Sequence, residues 1–407
     1  MRNFKSAALF ALVFFAASAA RGQATCDGIW HWMSVPGTRC LDGSHTGFEY
    51  VCFSNLGPTA PLLMYLEAGG ACWDGDSCDC DYGGTGVGCA PTFPPTIVTN
   101  HYDRQWSCDG QPAGGCSSAD AIENYGTNGD PMTTAAFNGP NSPFNDLSSG
   151  RVNWNMAVIP YCTGDGHSGN AVRPLTTSDG ERFVAYFKGY NNVTEDLAVL
   201  KNLFTPRQVV LWGASSGGAG TICNLSHVVA AFPTTTNVID NGLSFIDATY
   251  FARVPMMGDL WGMPDTCPTP TPGDLSQLQV INARAFPGVR QALTDDRADN
   301  AEAPQSPNGD WSQGWVMGCT GTGACGASCD YGVGACNSME GEAASLSGFP
   351  NAKVFIHDGQ CHAERESDQP GFAPGCNYDS MTQSGVNFND WIRGFMQVPG
   401  FTWDNVQ

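Results

Sequence analysis

The chain has 407 residues, a formal net charge of −21, only 14% charged residues, 50 glycines and 18 cysteines. So acidic a chain cannot neutralise phosphates, which excludes nucleic acid as a partner, and at low salt it repels a polyanionic polysaccharide. An even number of cysteines fits a disulfide framework built in an oxidising compartment, with up to nine bridges.

Residues 1–24 read as a secretory signal: a basic start, an apolar stretch from Ala7 to Phe15, then small residues that place cleavage after Ala20 or Ala24. That stretch is too short to span a bilayer, and no later segment reaches about 18 apolar residues. A soluble, exported protein is expected, extracellular or periplasmic, with residues 25–407 forming one catalytic domain.

Thr25 to Leu56 reads as an irregular start leading into a hairpin-like pair around Phe48 to Phe53. Leu62 to Glu67 is a buried-strand candidate that runs into Ala68-Gly69-Gly70-Ala71-Cys72-Trp73. Glycines at the carboxyl end of a strand leave backbone N–H groups unobstructed, as an oxyanion hole requires, so Gly69 and Gly70 are candidate donors.

Asp74 to Gly150 is cysteine-rich and lacks periodicity, and reads as an insertion. Its acidic run, Asp74, Asp76, Asp79 and Asp81, does not match an EF-hand loop and reads as solvated rather than calcium-binding. Cys78-Asp79-Cys80 offers a poor zinc site, because no histidine or C-x2-C pair accompanies it. A strand over Met156 to Tyr161 leads into Cys162-Thr-Gly-Asp-Gly-His-Ser-Gly169, so Asp165 and His167 are candidates for lining a site. Arg182 to Gly189 reads as another strand and Asn192 to Leu203 as a helix.

Val209 to Trp212 is a short apolar run between Pro206 and Gly213, expected to be a strand buried on both faces. Gly213-Ala-Ser-Ser-Gly217 follows and matches G-x-S-x-G, and Ile222, Leu225, Val229 and Phe232 then recur at helical spacing up to Pro233. Strand, glycine-flanked serine and helix together make Ser215 a candidate nucleophile, with the N–H of Ser216 as a third oxyanion donor.

Beyond the helix, Leu243 to Asp247 is expected to be the next strand, with Leu278 to Asn282 and Val289 to Thr294 as further short strands. Pro304 to Ala344 is a second cysteine-rich insertion, Lys353 to His357 the last strand, and Phe388 to Phe395 a closing helix. Trp73, Trp154 and Trp212 are either core residues or platforms for sugar rings.

A serine hydroxyl needs a base and an acid that orients it. His31, His45, His101 and His227 lie in an extension, a loop or the helix after Ser215, whereas His357 and His362 follow the final strand, with His362 in the loop beyond it. The acid then falls between the serine and that histidine, at Asp247, Asp295, Asp296 or Asp299.

Tyr65-Leu-Glu-Ala-Gly-Gly-Ala-Cys-Trp73, Asn141-Ser-Pro-Phe144, Ile159-Pro-Tyr-Cys-Thr-Gly-Asp165, Phe187-Lys-Gly-Tyr190, Gly213-Ala-Ser-Ser-Gly-Gly218 and Ser384-Gly-Val-Asn-Phe-Asn-Asp-Trp391 together resemble the pectin acetylesterase family, which includes the Notum carboxylesterases, in a secreted form of bacterial type. The resemblance implies an α/β-hydrolase, a mostly parallel sheet flanked by helices, that removes acyl groups, usually acetyl from polysaccharide, with no metal or other cofactor. It assigns Ser215 as nucleophile, Asp299 as the acid and His362 as the base. Three positions depart from the family pattern: Ser216 replaces an alanine, Ala68 the first glycine of a pair, and Asp299 lacks the preceding aromatic residue. The expected partner is an acylated polysaccharide and the expected state a monomer. Two other readings are a glycan-binding protein on an inactive hydrolase scaffold and a deacylase of lipidated protein.

Overall fold

The computed structural model describes residues 23–67, 71–72, 74–75, 78, 153–214, 216–241, 259–264, 278–296, 341–358 and 381–407. Eight strands form one sheet: β1 (Trp30–Ser34), β2 (Gly47–Val51), β3 (Leu62–Leu66), β4 (Asn155–Ile159), β7 (Gln208–Ala214), β8 (Thr235–Asn241), β9 (Arg290–Asp296) and β10 (Ala352–His357). Their order is β1-β2-β4-β3-β7-β8-β9-β10. β1 and β2 pair antiparallel, as do β2 and β4. From β4 to β10 every pairing is parallel. This is an α/β-hydrolase sheet: both faces are covered, which is why its central strands are continuous apolar runs rather than alternating ones.

Strand alternation divides the core in two. Leu62, Met64, Leu66, Val209 and Leu211 face helices α1 (Gly189–Leu203) and α2 (Ser216–Ala231), meeting Val193, Leu197, Leu200, Leu225 and Val228. Leu63, Val210, Trp212 and Phe355 face the opposite helix α4 (Phe388–Phe395), meeting Trp391, Ile392 and Phe395. Asn387 caps α4 by accepting from the Asp390 N–H. Trp154 and Trp212 lie in this second core, so neither is a sugar platform; Trp73 lies outside the described residues.

Several elements differ from expectation. The strand after α2 is Thr235–Asn241, beginning eight residues upstream of the expected Leu243 to Asp247, which lie outside the described residues. Pro233 ends the helix, and the β-branched residues Thr235, Thr236, Val238 and Ile239 form the strand at once. Leu278 to Asn282 is not a strand but the start of helix α3 (Leu278–Ala285), where Val280 and Ala283, one turn apart, pack with Ile222 while Ile281 is exposed. β6 (Arg182–Phe187) forms as expected but outside the main sheet, pairing antiparallel with β5 (Ala171–Thr176). β5 was hidden by Pro174, which a two-stranded ribbon tolerates because both strands are edges.

Disulfides join Cys26 to Cys52, Cys40 to Cys162 and Cys72 to Cys78, and Cys223 is also disulfide-bonded. The bridge at Cys78 removes the zinc reading, since a disulfide sulfur is no thiolate ligand. Among the described residues no helix is long and apolar enough to cross a membrane.

Candidate active site

The connection from β7 to α2 is pinned by backbone contact. A Cβ on Gly213 would overlap the carbonyl oxygen of Gly217, and a Cβ on Gly217 would overlap the carbonyl oxygen of Leu66. Only glycine fits at either place, so the two glycines of G-x-S-x-G exist to let strand and helix close on one another and on the end of β3. Ser215 itself lies outside the described residues; Ala214 ends the strand before it and Ser216 begins the helix after it. Ser216 is buried, and its Oγ has no hydrogen-bond partner among the described residues. Its backbone N–H belongs to the first turn of α2, where amide groups have no intrahelical acceptor and the helix dipole favours negative charge.

The parallel pairing brings the carboxyl ends of four strands to the same edge of the sheet. Leu66 is level with Gly213, and His357 with Asp296, so β3, β7, β9 and β10 all end there. Position 299 follows β9 by three residues and position 362 follows β10 by five, two and three strands from β7. Gly69, Gly70, Asp299 and His362 lie outside the described residues, as do Asp247, Asp76, Asp79 and Asp81. Asp295 is buried within β9, level with Ile356, and so is part of the strand rather than of a loop past its end.

Asp165 and His167 do not line an open site; both are buried, His167 against α2 at Gly220. Asp165 accepts from the Thr163 hydroxyl at 2.6 Å and the Gly189 N–H at 2.8 Å, which ties the loop to the start of α1. Burial raises its pKa to about 6 in spite of those bonds. His167 Nε2 is 2.9 Å from the carbonyl oxygen of Glu67, and its ring packs on Tyr161. A carbonyl only accepts, so Nε2 carries the proton; burial lowers the ring's pKa to about 4, partly offset by that bond.

Three contributors escaped the sequence reading. Glu67 Oε2 accepts from the Tyr161 N–H, the Tyr161 hydroxyl accepts from the Gly166 N–H, and Asn224 Nδ2 donates to the His167 carbonyl. An acid closing an apolar strand was the only signal for Glu67. Tyr161 and Asn224 gave none, because their partners are remote in sequence.

The sequence profile of the pectinacetylesterase family matches residues 116–258, across the elbow. The palmitoleoyl-protein carboxylesterase notum2 of Xenopus laevis is 31% identical over 110 residues, which are 27% of this chain and 22% of that protein. The chain therefore matches about a fifth of the length of this curated relative. Among solved structures, two crystal forms of the Wnt deacylase Notum from Drosophila superpose with a TM-score of 0.52. They are 16% and 17% identical, with 92% and 93% of this chain and 97% and 96% of theirs covered. That likeness establishes the fold. Both named relatives are animal proteins, so the bacterial type expected from the sequence finds no support in them.

Proposed function

We propose that this protein is a carboxylic ester hydrolase that removes acyl groups, acetyl foremost, from polysaccharide by way of an acyl-enzyme. The observation that carries the reading is the glycine-pinned connection between β7, the fifth strand across the sheet, and α2, the strand-turn-helix context that G-x-S-x-G needs. The match to an esterase family over 116–258 supports it independently.

In this mechanism His362 takes the proton of Ser215 as Oγ attacks the ester carbonyl, and Asp299 holds the imidazole in the required tautomer. Backbone N–H groups of Gly69, Gly70 and Ser216 stabilise the oxyanion; losing one such donor costs about 10² to 10³ in rate. The alkoxide leaves with the proton from His362, and water, deprotonated by the same histidine, releases the carboxylic acid. Export through the 1–24 leader is supported by all seven described cysteines being disulfide-bonded. We place the catalytic unit in residues 25–407 as a monomer.

Acetate release from acetylated xylan and acetylated pectin tests the reading. The net charge of −21 favours the neutral xylan backbone over polygalacturonate. No release from either polymer, with turnover of a palmitoleoylated peptide instead, would establish the second reading, deacylation of lipidated protein, which the names of the Xenopus and Drosophila relatives favour.

A further inference from the structure

The oxyanion donors proposed above come from two elements, the segment after β3 and the first turn of α2. Something has to set the distance between them, because a donor displaced by about 1 Å can cost about 10²-fold in rate. The backbone contacts of Gly217 with Leu66 and Glu67 limit how far the two can approach. A limit on approach does not stop them separating.

His167 supplies the opposing restraint. Its backbone is in the left-handed region at φ 54°, an uncommon conformation for a non-glycine residue. It is held there by the hydrogen bond from Asn224 Nδ2 on α2 to its carbonyl, at 2.8 Å. Its side chain lies directly on α2, where a Cβ on Gly220 would come 2.7 Å from the His167 Cβ. From that seat the ring reaches across to β3, with Nε2 2.9 Å from the Glu67 carbonyl. One residue thus grips α2 with its backbone and the last residue before position 68 with its imidazole.

We infer that His167 is a positioning residue for ester hydrolysis, its Nε2–H fixing the Glu67 carbonyl, and hence the start of the 68–70 segment, at a set distance from the first turn of α2. The inference rests on the esterase reading. The imidazole touches no substrate atom and transfers no proton; it acts through the backbone it holds. Asp165, in the same loop, anchors α1 instead.

Two substitutions separate the hydrogen bond from the strained backbone. Asparagine tolerates the left-handed region but is too short to reach Glu67, whereas glutamine can place an amide N–H near the position of Nε2. His167→Asn is expected to lower kcat on an activated acetyl ester by about 10²-fold, with KM changed less than about three-fold. His167→Gln is expected to recover at least a tenth of the wild-type kcat. Thermal melts of both variants identify any that fails to fold, and a chemically matched transition-state analogue, a boronate, should lose affinity in parallel with kcat in His167→Asn. A folded His167→Asn enzyme with wild-type kcat overturns the inference, as does equal loss of kcat in folded Asn and Gln variants. An inert wild-type protein that no serine-directed phosphonate labels overturns the esterase reading itself, and this inference with it.

Discussion

The carbonyl oxygen of Gly217 occupies the space that a side chain on Gly213 would need. Because both clashing groups at this elbow are backbone, no rotamer change relieves the overlap, and a methyl group must move the strand or the helix. Gly217→Ala, which meets the Leu66 carbonyl, is therefore expected to cost about 1–3 kcal/mol in urea denaturation and to abolish esterase turnover. Gly288→Ala, with nothing within 4 Å of the added methyl, serves as the control and should leave both unchanged.

The Cys40–Cys162 bridge closes a separation of 122 residues and joins the start of the chain to the loop after β4. A loop of that size restricts the unfolded chain by about 4–5 kcal/mol. The Cys40→Ser, Cys162→Ser double variant should lose about that much by chemical denaturation under oxidising conditions. The Cys72–Cys78 bridge, with a separation of 6, should contribute less.

Stability near the elbow should depend on pH through two buried groups acting in opposite directions. The folded pKa of His167 is lowered to about 4, so its contribution is full above the ordinary histidine range and is lost as pH falls toward 4. Asp165 is raised to about 6, so its contribution is full below the ordinary carboxylate range and is lost as pH rises through 6. His167→Gln removes the first slope and leaves the second. Its unfolding free energy should therefore fall as pH rises from about 4 to 6, where the wild type shows partial cancellation. Denaturation curves at half-unit pH steps measure this, and identical slopes in the two proteins would contradict the shift assigned to His167.

The acid of the proposed triad can be located by asparagine substitution. With Asp299 orienting the base, Asp299→Asn should lower kcat by about 10⁴-fold, the cost of the wrong histidine tautomer. Asp295→Asn alters a buried residue of β9 and should register in the melting temperature instead. The reverse pattern would move the acid into the strand without disturbing the nucleophile.

Segments whose burial is decided locally were legible in the sequence. Val209 to Trp212 reads as a strand because a parallel sheet covered on both faces needs a continuous apolar run, and Phe388 to Phe395 reads as a helix because its one apolar face repeats with the helical period. Leu278 to Asn282 was not legible, because five residues of mixed character fit either period; packing of Val280 and Ala283 under Ile222 decides for helix. Thr235 to Asn241 lacks an apolar run and is a strand because β7 and β9 flank it. The close approach at Gly213 and Gly217 was legible because G-x-S-x-G is a local pattern. The role of His167 was not, since it depends on Glu67 and Asn224, each more than fifty residues away.

The central claim is that position 215 carries an activated serine. Incubation with a serine-directed fluorophosphonate followed by peptide mass mapping tests it directly. One label per chain on the peptide containing Ser215, absent in Ser215→Ala and slowed at least about 10²-fold in His362→Ala, is the predicted result. A folded protein that takes up no label, or takes it up at another residue, would contradict the hydrolase account.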